Sequence, residues 1–169
     1  MANYYAEASF MIPFKDSEAD FLMSALIAID DVLDRCDHDL TCLDDEFKAE
    51  IRTEKGDKTM DFILDFIDNC ADGECCYLDF DCDKEADGLW VHNANEYINA
   101  TNAAAFISAA LAHFDRAGGV GFEISYTCTK PRLDAFGGMA VFVTKDSIEY
   151  LSTSQWIRDQ YTKHGEASD

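Results

Sequence analysis

The sequence is short of basic residues and of long apolar runs. Only 13 lysines and arginines stand against 34 acids, which gives a formal net charge of −21. A chain of this sign repels DNA, RNA and anionic membranes, so conventional nucleic-acid binding is excluded, and it attracts cations or a basic protein surface. No stretch approaches the roughly 18 consecutive apolar residues that a membrane-spanning helix needs.

The start of the chain lacks the features of a secretory signal peptide. Residues 1–5 (MANYY) contain neither a basic start nor an apolar run, so we expect a cytoplasmic protein, working in the cytoplasm of a host cell. No linker rich in Pro, Gly or Ser divides the sequence, and we expect one domain over residues 1–169. With 48% apolar residues, the chain can bury a core that offsets its ordering entropy.

The cysteines lack the regular spacing of a disulfide framework. Seven of them lie at positions 36, 42, 70, 75, 76, 82 and 128, and we expect all seven to be reduced thiols. Four lie close together in the chain, but zinc sites normally show paired C-x2-C or C-x4-C knuckles. Small buried thiols are therefore favoured over a zinc site, and we predict no metal ion or other cofactor.

The hydrophobic pattern predicts an α+β fold, in which a mostly antiparallel sheet of about five to six short strands packs against three to four helices. We expect strands over residues 4–14, 77–83, 89–92, 122–129, 139–144 and 148–151. We expect a helix capped by Ser17 with an apolar stripe from Leu22 to Leu33, a short helix through Leu43, Phe47 and Ile51, and another from Thr59. A further helix, capped by Asn99 or Thr101, carries almost no charge and is expected to be buried, and Trp156 and Ile157 are expected to anchor a last short helix. Residues 88–161 form the sheet-rich half of this prediction.

The negative charge is concentrated in one segment. Residues 16–87 contain 24 acids and 6 bases, and the other 97 residues together carry a charge of only −3. Like charges at helical spacing are mildly destabilising, so they are not expected to serve folding. We predict that the following acids form a partner-binding surface: Asp30, Asp34, Asp44, Asp45, Glu46, Asp61, Asp65, Asp68, Asp79, Asp81, Asp83, Glu85 and Asp87.

The most regular part of this surface is an alternating run. Leu78, Phe80 and Cys82 are predicted to face inward, which leaves Asp79, Asp81 and Asp83 on the solvent side at intervals of about 6.6 Å. Such a row could imitate the phosphates of DNA. The alternative is that these acids only keep the protein in solution.

The same run has the opening spacing of an EF-hand calcium loop. The loop requires glycine at its sixth position and glutamate at its twelfth, and the sequence has Lys84 and Trp90 there. This mismatch argues against specific calcium binding.

Motifs of catalysis are also missing. The sequence contains no G-x-S-x-G, P-loop, H-E-x-x-H or Rossmann fingerprint. Cys128 could meet His92 or His113 as nucleophile and base, but a lone histidine beside an aromatic residue is more often structural. We expect a protein that is not an enzyme and has no catalytic residues.

Four short segments of the C-terminal half carry a resemblance. They are LWVH (residues 89–92), TCTKPR (127–132), FGG (136–138) and VFVT (141–144). Over about residues 88–157 the chain resembles a loose group of small acidic proteins encoded by phages and plasmids, although Met139 stands where a third glycine is expected. Proteins of this kind include anti-CRISPR and antirestriction inhibitors that imitate DNA.

Together these observations favour a non-enzymatic acidic inhibitor from a mobile element. It would block a basic nucleic-acid-binding groove of a host defence complex by imitating DNA. Two alternatives stay open: an acidic structural or binding protein of a phage or plasmid without mimicry, and a small metal- or cysteine-dependent enzyme.

Overall fold

The computed structural model describes residues 3–36, 43–70, 78–94, 97–130 and 136–164. These contain five helices and seven strands, which confirms the predicted α+β class. In chain order they are β1 (Tyr4–Glu7), β2 (Ser9–Ile12), α1 (Asp16–Arg35), α2 (Asp45–Lys55), α3 (Asp57–Asn69), β3 (Asp81–Glu85), β4 (Gly88–His92), α4 (Ala100–His113), β5 (Gly119–Cys128), β6 (Gly137–Thr144), β7 (Ile148–Ser152) and α5 (Thr153–His164).

The strands form two antiparallel sheets. Sheet A has the order β1-β5-β6-β7 and sheet B the order β2-β4-β3. The predicted single strand over residues 4–14 is wrong, because the chain passes at Ala8 from sheet A into sheet B. The alternation over residues 4–14 predicts Ala6, Ala8, Phe10 and Ile12 on one inward face, and in the structure Ala6, Ala8 and Ile12 are buried while Phe10 is partly buried.

Helix α1 begins two residues earlier than predicted, at Asp16, with Lys15 at the cap position. Its first turn is closed by Glu18, whose carboxylate accepts a hydrogen bond from the backbone N–H of Lys15 at 2.9 Å, so Ser17 is not the cap. The apolar stripe of α1, from Leu22 to Leu33, is buried as predicted.

Helices α2 and α3 follow each other almost without a loop. Asp44 caps α2 by accepting from the N–H of Phe47 at 2.8 Å, and Gly56 separates the two helices at a φ of 93°, where glycine is favoured. Phe62 and Phe66 are fully buried and join α3 to the core.

Helix α4 lies at the centre of the molecule. Ten of its fourteen residues are buried, as its lack of charge predicted, and Asn99 caps it as expected. The ring of Phe106 contacts the rings of Phe62 and Phe80. The inner face of sheet A, including Phe122 and Val141, packs against this helix.

The last helix is confirmed, but its predicted anchoring is wrong. No residue of α5 is buried, and Trp156 and Ile157 are both exposed. The hydrophobic pattern of the sequence could not show this exposure. It does not report that α4 already packs against the inner face of sheet A.

Two cysteines correct the prediction of seven reduced thiols. Cys36 follows the end of α1 and Cys70 follows the end of α3, and each of them takes part in a disulfide bond. Bonding depends on which thiols meet in space, and spacing along the chain does not report this. Cys82 and Cys128 are free thiols, while Cys42, Cys75 and Cys76 lie outside the described residues.

Candidate functional site

Strand β3 places three acids in a row on the edge of sheet B. Asp81, Asp83 and Glu85 are all exposed and alternate with Cys82 and Lys84, which face α1. Among the described strands β3 pairs only with β4, and charged side chains on such an edge also discourage pairing with other strands. The row therefore has a structural use, which is to protect the edge of the sheet.

Lys84 holds this strand against α1. Its Nζ lies 2.7 Å from Oδ1 of Asp16 and 2.5 Å from Oδ1 of Asp20, and these hydrogen bonds raise the pKa of Lys84. Because Lys84 is fixed on the inner side, the neighbouring Asp83 and Glu85 are directed outward.

Asp79 does not belong to the regular row, although the sequence analysis placed it there. The strand begins at Asp81, and Asp79 adopts a left-handed φ of 50°. Its carbonyl accepts a hydrogen bond from the N–H of Asn99 at 2.9 Å, so the turn is tied to the cap of α4. A strand-like spacing of about 6.6 Å thus applies from Asp81 onward.

A groove between α1 and the start of β3 brings separate acids together. Asp30 of α1, Asp79 and Asp81 line this groove, which has a volume of about 420 Å³. Met23 and Ile27 form part of its apolar lining. The predicted surface is therefore contiguous at Asp30, Asp79 and Asp81, and it continues along the strand through Asp83 and Glu85.

Acids near the ends of α1 and α2 are used within the molecule. Arg35 lies 2.7 Å from Glu50, 3.0 Å from Glu54 and 4.0 Å from Asp31. Lys55 also contacts Asp31, at 3.0 Å. Internal bases thus offset part of the charge that the sequence shows in this segment.

The remaining predicted residues are spread over the helices and the β3–β4 turn. Asp61 pairs with Arg52 at 2.8 Å, and Asp44 serves as the cap of α2. The structure places the others on exposed positions outside the groove: Asp34 near the end of α1, Asp45 and Glu46 in the first turn of α2, Asp65 and Asp68 on α3, and Asp87 in the turn before β4.

An aromatic patch beside the acidic row was missed by the sequence analysis. Trp90 and Met11 are partly exposed on the outer face of sheet B, where Trp90 Nε1 donates to Ser9 Oγ at 2.8 Å. The ring of His92 lies 4.3 Å from that of Trp90, and its Nε2 lies 3.1 Å from Oδ2 of Asp83. The alternation of β4 could have revealed this patch, because residues 90 and 92 share one face.

The described thiols and histidines do not form a nucleophile–base pair. Burial, followed by the nearby carboxylates of Asp83 and Asp81, raises the pKa of Cys82 to about 12, which keeps it protonated. Cys128 lies at the end of β5 opposite Tyr4, and His113 stacks on Phe21 at the end of α4. Within the described ranges, no cluster of three or more His, Cys, Asp or Glu side chains could hold a metal ion.

None of the helices in the described segments is both long and apolar enough to cross a membrane. Comparison with models of protein families, with curated protein sequences and with solved structures gave no match to this chain.

Proposed function

We propose that this chain is a non-enzymatic inhibitor that offers the groove between α1 and β3, with the row along β3, to a basic nucleic-acid-binding surface of a host defence complex. The observation that carries the proposal is the convergence of Asp30, Asp79 and Asp81 on one groove. Asp30 comes from α1, whereas Asp79 lies just before β3 and Asp81 is its first residue, and no salt bridge to a base is found for these three acids in the described part of the chain.

The spacing of the charges supports imitation of DNA only if a second element adds charge to the row on β3. One strand of DNA carries about one charge per 3.4 Å along the helix axis, whereas alternate residues of a β-strand are about 6.6 Å apart. The acids of β3 alone thus supply about half the charge density of one DNA strand. Asp30, on the α1 side of the same groove, adds negative charge from a second element.

The aromatic patch next to the row supports a binding role, because a surface that only keeps the protein in solution does not need exposed aromatic side chains. Trp90 and Met11 lie exposed on the face that also carries Asp83. Aromatic and methionine side chains are enriched in the centres of protein interfaces, while a charged rim accelerates association.

One observation favours the alternative, an acidic binding protein without mimicry. Arg35, Arg52 and Lys55 neutralise several acids of α1, α2 and α3, so this side of the molecule is less negative than its sequence suggests. In that case the acids of the helices serve folding and solubility, and the partner would be a basic protein surface that need not bind nucleic acid.

A competition assay separates the two functions. Labelled DNA is bound to a purified CRISPR effector and, separately, to a restriction endonuclease, and this protein is titrated in over a series of salt concentrations. We expect it to displace the DNA from at least one of them. The triple variant Asp81→Asn, Asp83→Asn and Glu85→Gln should compete at least about tenfold less well, with a flatter dependence on salt.

The matched control removes three acids elsewhere. The control variant, Asp45→Asn with Glu46→Gln and Asp68→Asn, removes as many negative charges as the first triple variant does. It leaves the groove and the row intact. This control should compete like the wild type. Equal competition by both triple variants would show that total charge matters and not this site, and a wild type that displaces no DNA would rule out the mimicry.

A further inference from the structure

Helix α5 presents an apolar face that the described part of the chain leaves about half exposed. Trp156, Ile157 and Tyr161 are spaced to share one side of the helix, and they are 54%, 47% and 53% exposed. A helix of 12 residues is marginal in water unless such a face is packed. The apolar face of α5 therefore needs another surface to pack against.

The outer face of sheet A contains a groove that is lined in part by exposed apolar side chains. Its floor contains the small residues Gly121 and Ala140, and its sides include Phe142 and Leu151, which are 51% and 56% exposed. The volume is about 1000 Å³. Sheets are normally packed on both faces or left polar on one, and this outer face carries exposed apolar side chains next to the carboxylates of its lining.

The two features meet at one residue. Leu151 lines the groove on the sheet and also lines a smaller apolar pocket with Trp156 and Ile157. The groove on sheet A and the apolar face of α5 therefore form one continuous surface on each molecule.

Charge identifies what can cover this surface. Glu7, Glu123 and Glu149 line the groove, whereas α5 carries Arg158 and Lys163 beside its apolar face. Residues 137–164 contain three acids and three bases, although the whole chain has a net charge of −21. Two copies can meet here without the repulsion that their acidic halves would cause, and the helix is opposite in charge to the groove.

We propose that the protein forms a two-fold dimer in which α5 of each copy lies in the groove on sheet A of the other. The described residues of each molecule form one such helix and one such groove, so a two-fold arrangement satisfies both at once. The dimensions agree, since a 12-residue helix is about 18 Å long and an eight-residue strand such as β6 about 27 Å. The acidic groove between α1 and β3 is not involved, so this dimer is independent of the proposed function.

Sedimentation velocity over a range of micromolar concentrations tests the dimer. The wild type should shift from 18.9 kDa to twice that mass. Ile157→Asp in the helix and Ala140→Trp in the floor of the groove should each raise the dimer Kd by about tenfold or more. Ile27→Asp on α1 is the control, because it places the same change on a side chain that is 70% exposed elsewhere. Circular dichroism verifies that each variant is folded.

Charge reversal tests the reciprocal fit of helix and groove. One variant carries Glu123→Lys with Glu149→Lys, and the other carries Arg158→Glu with Lys163→Glu. Each alone should be monomeric because its helix and groove then have the same sign. Mixing the two should restore the dimeric mass, since each helix now meets a groove of opposite charge.

Several outcomes would overturn the dimer: a wild type that stays monomeric at all concentrations, a dimer that ignores both Ile157→Asp and Ala140→Trp, or reversed variants that do not associate on mixing. Binding of lipid vesicles or of another protein by a monomeric wild type would assign the surface to that partner instead. The DNA competition assay, repeated with Ile157→Asp, keeps the two proposals apart, because a failure of either leaves the other standing.

Discussion

Nζ of Lys84 lies 2.5 Å from Oδ1 of Asp20, and this contact joins the edge strand of sheet B to the first turns of α1. Asp16 contacts the same ammonium group at 2.7 Å, so one lysine links two acids that would otherwise repel each other. The contact also decides which side of β3 faces solvent.

Replacing Lys84 tests this link. Lys84→Gln should lower the melting temperature by a small amount, because these carboxylates are mainly exposed and such pairs contribute little each. The loss should be smaller at high salt, where the pairs are already screened. Thermal melts at two salt concentrations measure it. Lys48→Gln on α2 is the control, and an equal loss in both variants would contradict the link.

His113 gives a prediction about pH. Burial, with a smaller effect from Lys58, lowers the pKa of His113, while Asp65 and Asp61 act in the opposite direction. The unfolded chain then binds the proton more readily than the folded one, so stability is full above about pH 6.5 and falls as the pH drops below this value. His113→Gln should reduce that fall.

Melting temperatures between pH 7.5 and pH 5 provide the measurement for His113. His164→Gln, at the exposed end of α5, is the matched control and should keep the dependence of the wild type. If His113→Gln shows an unchanged pH dependence, the acid sensitivity of the fold has another origin.

Phe62 should be a main contributor to stability. Its ring is fully buried, and the centroid of the ring lies 5.7 Å from that of Phe21 in α1 and 5.6 Å from that of Phe106 in α4. Phe62→Ala should therefore lower the free energy of unfolding by about 3–5 kcal/mol, as expected for a large core cavity. Urea denaturation measures this, with Phe136→Ala at an exposed position as the control. A loss below about 1 kcal/mol would mean that Phe62 does not join these helices.

The cysteines can be tested by alkylation and mass spectrometry. In protein unfolded without reductant, Cys82 and Cys128 should be labelled, and Cys36 and Cys70 should be labelled only after a reductant is added. Labelling of Cys36 or Cys70 without reductant would contradict the disulfides. In the folded protein at pH 8, Cys82 should react about a thousandfold more slowly than after unfolding, because its pKa is raised to about 12.

Much of the local structure followed from the sequence. The alternation around Phe80 correctly predicted which side chains are buried and that Asp81 and Asp83 are exposed, and the caps at Asn99 and Gly56 are where their residue types suggested. Such features depend on neighbours within a few positions, so a periodic pattern reports them directly.

Other features were decided only by the tertiary structure. Ala8 divides one apparent strand between two sheets, because its two sides find partners in β5 and β4, far along the chain. The same holds for the acids: Asp30 and Asp81 share a groove, whereas Asp31 and Asp61 are paired with Lys55 and Arg52. The sequence alone determines the total charge and, for elements with a regular apolar pattern such as α1 and β4, the side that is buried. Which charges remain available, and which apolar faces stay uncovered, depends on packing between distant elements, and no local pattern encodes that.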